Sequence, residues 1–186
     1  NKEEKRMNVV LERVVETKLP LIYVNQVGGQ DELVFDGGSF VVNPDYSIVT
    51  KLSNFVSEIK TTEWRKEDEK WFCSSNIQGP KTNELIDNYS ACVVGLRDYI
   101  KKNKFSEVII GLSGGIDSAL VSCIAVDALG HQNVQCVMLP SKYTSDESLD
   151  DAIQCAKNLK ISPDEIAINK IVETAEMQLN PFFKDT

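Results

Sequence analysis

The spacing of apolar residues changes between the first and second parts of the chain. Apolar positions three and four residues apart predict a helix over residues 3–18, and short β-rich runs separated by glycine turns follow it. Residues 33–36 and 39–42 flank Gly37 and Gly38, which predicts a hairpin. The first part therefore predicts one helix followed by several short strands.

From residue 81 onward, short unbroken apolar runs alternate with longer helical patterns. Strands of this kind, each separated from the next by a helix, predict a parallel sheet covered on both faces. In chain order, the pattern predicts a helix over residues 85–100, a strand at 108–110, a helix over 116–129, a strand at 134–139, a helix over 145–159, a strand at 166–168 and a helix over 171–179.

Charged residues dominate between these two parts. Residues 58–80 have few aliphatic side chains and many charges, which favours a solvated connector. We therefore predict a domain boundary between about residue 60 and residue 80. The predicted organisation is one domain over residues 1–60, a connector over 61–80 and a second domain over 81–186.

Composition limits the partners that the chain can have. A formal net charge of −8 argues against a nucleic acid held by a general basic field, although backbone N–H groups can still hold a nucleotide phosphate. No run reaches the ~18 apolar residues that cross a membrane. Five scattered cysteines and one histidine lack zinc-ligand spacing. They predict reduced thiols of a cytoplasmic protein, each a small buried apolar residue.

One segment carries the chemistry of phosphate binding. A short apolar strand leads through a glycine turn into the start of a helix, where N–H groups lack internal partners and the helix dipole is positive. Glycines let the backbone approach phosphate oxygens closely, and the carboxylate of Asp117 suits a Mg²⁺ shared with phosphate. The candidate phosphate-binding residues here, which become candidate ATP-binding residues through the resemblance described next, are Gly111, Leu112, Ser113, Gly114, Gly115, Ile116, Asp117 and Ser118.

This segment matches neither the Walker loop nor the dinucleotide GxGxxG pattern. The simpler alternative is a glycine turn that joins a strand to a helix. The segment resembles SGGxDS, the signature of the adenine-nucleotide α-hydrolases (the PP-loop fold), which cleave ATP between its α and β phosphates. Residues 138–145 and 148–152 look like the MPSxYSS and SLxDA region of NAD⁺ synthetases. The resemblance implies that Leu139 contacts adenine and that Ser145 lies near the nucleotide, with a helix cap as the alternative for Ser145.

Residues 23–39 carry a second resemblance. Their sequence, which includes GGQDELVFDGGS, is similar to the late portion of the nitrilase-like glutaminase domain of glutamine-dependent NAD⁺ synthetases. The implied fold is α/β: the end of a nitrilase-like α/β sandwich domain, followed by a parallel-sheet adenine nucleotide α-hydrolase-like (PP-loop) domain. In the family, a lysine at the position of Lys2 lies near bound glutamine, and an exposed, solvated lysine is the alternative.

The resemblance implies a ligase that forms NAD⁺ from deamido-NAD, with ATP, Mg²⁺ and ammonia from glutamine. Its partners are small molecules, with no nucleic acid or membrane, and the family tends to form homo-oligomers. The family's glutaminase Glu, Lys and Cys precede the stretch matched here, so we expect no catalytic residue in this chain and reject Cys73 as the nucleophile. We expect an internal fragment, inactive alone. The alternatives are another PP-loop amidotransferase, such as a GMP or asparagine synthetase, or a nucleotide-binding module without turnover.

Overall fold

A computed structural model describes residues 2–182, except the side chain of Lys2, and the chain divides into two compact units between Gly95 and Leu96. The first unit contains helix α1 (Lys2–Thr17), the beginning of helix α2 (Glu84–Lys102) and strands β1 (Leu21–Tyr23), β2 (Val27–Gln30), β3 (Leu33–Asp36), β4 (Phe40–Val42), β5 (Ile48–Lys51), β6 (Trp64–Glu67), β7 (Lys70–Cys73) and β8 (Ile77–Gln78).

A small mixed sheet organises the first unit. Its strand order is β1-β4-β5-β8, antiparallel except for the parallel pair β5 and β8. All three residues of β4 are buried, as expected for an inner strand. Val10 and Val14 of α1 pack against Phe40 and Val42 of β4, which gives the unit its apolar core. The predicted helix over residues 3–18 is therefore confirmed.

The predicted hairpin around Gly37 and Gly38 is wrong. Strand β3 pairs with β2, and β4 pairs instead with β1 and β5, so the two glycines carry the chain from one sheet to another. Both have left-handed backbone conformations, with φ values of 67° and 60°. A Cβ on Gly37 would lie 2.5 Å from Val27 Cγ2, and one on Gly38 would lie 2.4 Å from Asn54 Oδ1. The glycines are needed there because the crossing is tight.

The segment predicted as a connector contains regular structure. Strands β6 and β7 form an antiparallel hairpin, and β8 joins the edge of the four-stranded sheet. The buried side chain of Asn43 holds the end of this hairpin: it accepts a bond from the Cys73 N–H at 2.9 Å and donates one to the Cys73 carbonyl at 3.1 Å. The two compact units divide later, within α2. The assignment of residues 1–60, 61–80 and 81–186 to domains stays a prediction.

The second unit is a parallel α/β arrangement, as predicted. Its sheet has the order β11-β10-β9 with both pairings parallel, and its core contains Cys136 of β10, Ala125 of α3 and Ala156 of α4. The elements after α2 are β9 (Val108–Gly111), α3 (Ile116–Leu129), a 3-10 turn (His131–Asn133), β10 (Val134–Met138), α4 (Asp146–Asn158), β11 (Asp164–Glu165), α5 (Asn169–Leu179) and a second 3-10 turn (Asn180–Phe182).

Strand β11 begins earlier than predicted and is short. Its regular pairing covers Asp164–Glu165, before the apolar run at 166–168. The N–H groups of Ile166 and Ile168 still donate to the carbonyls of Met138 and Pro140, each at 2.9 Å. The apolar run thus follows the edge of β10 without ladder geometry. Among residues 2–182, no helix is long and apolar enough to cross a membrane.

Neighbouring valines in α1 provide a test of this core. Val14 is fully buried and Val15 is 48% exposed, so the same substitution changes helix propensity equally at both sites but removes buried methyl groups at one. We expect Val14→Ala to lower the free energy of unfolding by roughly 1–3 kcal/mol. Val15→Ala should change it by less than about 0.5 kcal/mol. Urea unfolding followed by circular dichroism measures both, and equal losses would contradict the described packing.

Candidate functional site

The candidate site lies where β9 and β10 end. Gly111 is paired with Val137 in the parallel ladder, and the Leu112 N–H continues the pairing by donating to the Val137 carbonyl at 2.9 Å. Because the two strands are parallel, the loops that follow them emerge at the same edge of the sheet. In open α/β sheets, the carboxyl edge is where ligands bind.

The glycine loop after β9 packs tightly against the start of α4. Gly114 has a φ of 77°, and a Cβ at this position would lie 2.1 Å from the Ser148 carbonyl oxygen. The Ser118 hydroxyl fixes the loop from inside: it accepts from the Ser113 N–H at 3.2 Å and donates to the Gly115 carbonyl at 2.9 Å. The main structural role of Ser118 is therefore to brace the loop.

The first turn of α3 faces this loop without a capping side chain. Its N-cap is Gly115, so Ile116 and Asp117 begin a helix whose positive end receives no acceptor from the cap residue. Helix α4 differs, because the Ser145 hydroxyl caps it by accepting from the Ser148 N–H at 3.2 Å. An anionic group at the edge of the sheet is therefore favoured at α3. The helix-cap alternative for Ser145 is confirmed, and its predicted contact with nucleotide stays a prediction.

A cleft of about 390 Å³ lies between the loop after β9 and the segment from the end of β10 to α4. Half of the ten predicted ATP-binding residues line it, and the other five form the remainder of the loop and the first turn of α3. The lining members of the predicted set are Gly111, Leu112, Ser113, Leu139 and Ser145. Leu139 is 51% exposed, so an apolar side chain is available at this cleft.

Sequence reasoning did not single out eight further residues of the cleft wall, three of which carry hydroxyl groups. Tyr143, Thr144 and Ser148 also line it, although they belong to the segment on which the family resemblance was based. For Tyr143 and Thr144 the available signal was their position in the loop after β10, since residues that follow a parallel strand lie at the ligand-binding edge, whereas Ser148 lies in the first turn of α4.

Helix α5 holds the turn that carries Tyr143. The Lys142 ammonium pairs with Glu176 at 2.6 Å, and the Tyr143 hydroxyl donates to the other oxygen of the same carboxylate. The hydrogen bond from Lys142, followed by that from Tyr143, lowers the pKa of Glu176. The same bond to Glu176 raises the pKa of Lys142. Both shifts indicate that the carboxylate and the ammonium stabilise each other's charged forms.

The predicted metal ligand Asp117 is an exposed carboxylate at the start of α3. Within residues 2–182, no group of three or more His, Cys, Asp or Glu side chains could hold a metal ion. A single carboxylate beside a phosphate-binding loop suits Mg²⁺, which keeps several waters and combines one or two carboxylates with substrate phosphates. The residues present therefore fit a Mg²⁺ that arrives with a nucleotide.

Two further predictions concern the first unit. Lys2, the predicted glutamine contact, begins α1, but its side chain lies outside the described part of the structure. Cys73, which we rejected as a nucleophile, is buried in β7 and its main chain is bonded to Asn43.

The fold and the site define an α/β protein of the class that binds ligands at the carboxyl edge of a parallel sheet. Residues 88–185 match the family described as NAD synthase. The chain is 48% identical over 164 residues to a glutamine-dependent NAD(+) synthetase of Rhodobacter capsulatus, a match that covers 88% of this chain and 30% of the relative. The chain therefore belongs to the NAD synthase family.

A solved structure of a relative agrees with this assignment, and a more distant one shares the fold. The glutamine-dependent NAD+ synthetase from Acinetobacter baumannii, in complex with ADP, superposes with a TM-score of 0.88 at 36% identity, over all of this chain and 35% of that one. The enzyme from Cytophaga hutchinsonii shares the fold, with a TM-score of 0.77 at 12% identity. The predicted resemblance to glutamine-dependent NAD⁺ synthetases is confirmed. The chain spans about a third of the length of the curated relatives it matches.

Two glycines of the site provide a matched pair for mutation. A Cβ on Gly111 would meet nothing within 4 Å, whereas one on Gly114 would clash with the Ser148 backbone and require a left-handed conformation. We expect Gly114→Ala to destabilise the second unit by roughly 1–3 kcal/mol from backbone strain alone. Gly111→Ala should leave stability nearly unchanged. Thermal unfolding of both variants tests this, and an unchanged stability of Gly114→Ala would contradict the close approach of the loop to the helix.

The Glu176 carboxylate gives a prediction for pH. Because its pKa is lowered, its bonds to Lys142 and Tyr143 contribute at pH values above the ordinary pKa of glutamate, and they are lost as pH falls through the lowered value. Lys142→Met should raise the pKa of Glu176 towards its ordinary value. A carbon-13 NMR titration of the Glu176 carboxyl group measures this, and an unchanged pKa in Lys142→Met would contradict the ion pair.

Proposed function

We propose that this chain supplies the ATP-binding part of a glutamine-dependent NAD⁺ synthetase. The observation that carries the proposal is the uncapped first turn of α3, placed beside a glycine loop whose shape is fixed by Gly114 and Ser118. Backbone N–H groups at a helix start are a general binding site for phosphate. The solved relative from Acinetobacter baumannii is a complex with ADP, which supports the binding of an adenine nucleotide.

The cleft suggests the orientation of ATP. The pyrophosphate portion would lie on the glycine loop and the start of α3, where the charge is favourable. Adenine would lie towards Leu139, where apolar surface is exposed at the end of β10. The hydroxyl of Ser113, which lines the cleft and bonds to Ser118 at 3.1 Å, would add a donor near the phosphates. All of these contacts would be made at one edge of one small sheet.

For the protein as a whole, we propose a reaction in two steps. The carboxylate of deamido-NAD attacks the α-phosphorus of ATP, an acyl–adenylate bond forms, and pyrophosphate leaves. Ammonia then attacks the activated carbonyl carbon, AMP leaves, and the amide of NAD⁺ is formed with release of a proton. The contribution of this chain is to hold the leaving pyrophosphate and to orient the α-phosphorus, which is catalysis by position and charge.

Asp117 is the residue that would hold Mg²⁺. When bound, the ion would offset the negative charge that accumulates on the departing pyrophosphate. The exposure of Asp117 and its place at the start of α3 support this role.

The first unit belongs to the same proposal. We infer that its mixed sheet and α1 are the end of a nitrilase-like glutaminase domain, which would release ammonia from glutamine with a thiol nucleophile located elsewhere in the protein. The alignment of the whole chain with the Acinetobacter baumannii enzyme supports this. Lys2 as a glutamine contact and assembly into a homo-oligomer stay predictions.

The test is titration calorimetry of this chain with ATP in the presence and absence of Mg²⁺. We expect Mg²⁺-dependent binding, and Asp117→Asn should weaken it about tenfold or more while making it less dependent on Mg²⁺, because a charged metal ligand is removed. Asp68→Asn is the matched control, since it removes the same charge from the exposed turn between β6 and β7.

Two results would contradict the proposal. Unchanged Mg²⁺-dependent binding in Asp117→Asn would show that Asp117 is not a ligand of the metal. Absence of any ATP binding by a folded chain would show that the loop does not form a nucleotide site by itself. Binding without NAD⁺ formation from deamido-NAD, ammonia and ATP would support a nucleotide-binding role without turnover for this part of the protein.

A further inference from the structure

We propose that Glu176 of α5 is a positioning residue of the cleft, which holds the turn formed by residues 141–144 in the shape that receives the nucleotide. The inference deepens the proposed function and rests on it. It concerns a carboxylate that does not line the cleft itself but contacts Tyr143, which does, and the neighbouring Lys142.

The turn has its own internal bonds, which set its shape. The Thr144 N–H donates to the Ser141 carbonyl at 3.0 Å, and the Ser141 N–H donates to the Thr144 hydroxyl at 3.0 Å. These bonds join neighbours in sequence, so they do not fix the turn relative to the rest of the second unit.

Helix α5 supplies the contacts that fix the turn in place. The Lys142 N–H donates to Asn169 Oδ1 at 2.7 Å, at the first residue of the helix. Two turns further on, Glu176 receives both the Lys142 ammonium and the Tyr143 hydroxyl. The Lys142 ammonium also lies 5.0 Å from the centre of the Tyr143 ring. One carboxylate therefore orders two successive side chains of the turn.

These contacts matter for binding because the held ring forms part of the cleft wall. Tyr143 lines the cleft and is 72% exposed, so little packing restrains its ring apart from the bond at its hydroxyl. A side chain that is ordered before the ligand arrives loses less conformational freedom on binding. Removal of Glu176 would transfer this entropy cost to the binding step.

The experiment compares Glu176→Gln with Glu173→Gln, which removes the same charge from an exposed position of the same helix. We expect Glu176→Gln to weaken MgATP binding about fivefold, near the upper end of the contribution of exposed ion pairs, and Glu173→Gln to have no effect. In the Lys142→Met/Tyr143→Phe background, Glu176→Gln should cause no further loss, because its partners are already absent.

A second measurement does not depend on the nucleotide. Amide hydrogen exchange at Lys142 should become faster in Glu176→Gln, with α3 and β9 unchanged, because the turn is released while the core stays intact. Unchanged exchange at Lys142 would overturn the positioning role.

Other outcomes would overturn the proposal in different ways. Equal affinity in Glu176→Gln would overturn this inference alone, and tighter binding would show that Glu176 withholds Lys142 from the phosphates. A loss of affinity that persists undiminished in the Lys142→Met/Tyr143→Phe background would show that Glu176 acts elsewhere. Failure of the unaltered chain to bind MgATP would overturn the proposed function as well.

Discussion

The parallel pairing of β9 with β10 is the constraint on which the site depends. It places Gly111 beside Val137, so the loops that follow these strands leave the sheet side by side. The glycine loop then turns into α3 and touches the backbone of Ser148 at the start of α4. A strand pair of a few residues thus determines which two helix starts and which loop can share a ligand. A shift of its register would move every one of these groups.

The two helix starts at this edge have different electrostatic roles. Helix α4 has a serine cap and two acidic residues in its first turn, which already satisfy its positive end. Helix α3 has a glycine cap and one carboxylate in its first turn, Asp117, which is the residue that we propose as a ligand of Mg²⁺. Two helices that begin at the same edge of the sheet are therefore distinguished by single residues at their caps, and those residues can be read from the sequence.

The sequence predicted features that depend on residues close together in the chain, and it missed features that depend on contacts between distant residues. The glycine loop, the helix α3 and the Ser145 cap depend on residues a few positions apart, and the predictions for them agree with the structure. The prediction of a hairpin at Gly37 was wrong because a left-handed glycine pair permits several chain reversals and does not determine which strand pairs with β4. Burial of every cysteine was predicted from average behaviour, but only Cys73 and Cys136 are buried, whereas Cys123 and Cys155 are partly exposed and Cys92 is exposed.

The cleft wall shows why the rest of the site could not be predicted. Glu176 meets Lys142 and Tyr143 across 34 and 33 residues of sequence, and α5 carries other exposed charges that could have met them. The direction in which a helix packs against the sheet determines which surface charges meet, and amino-acid composition does not reveal that direction. The shape of the glycine loop is thus determined by residues close together in the chain, and Gly114 tolerates little change. The turn opposite it is held by an exposed, long-range contact, so changes there should tune affinity without destroying the fold.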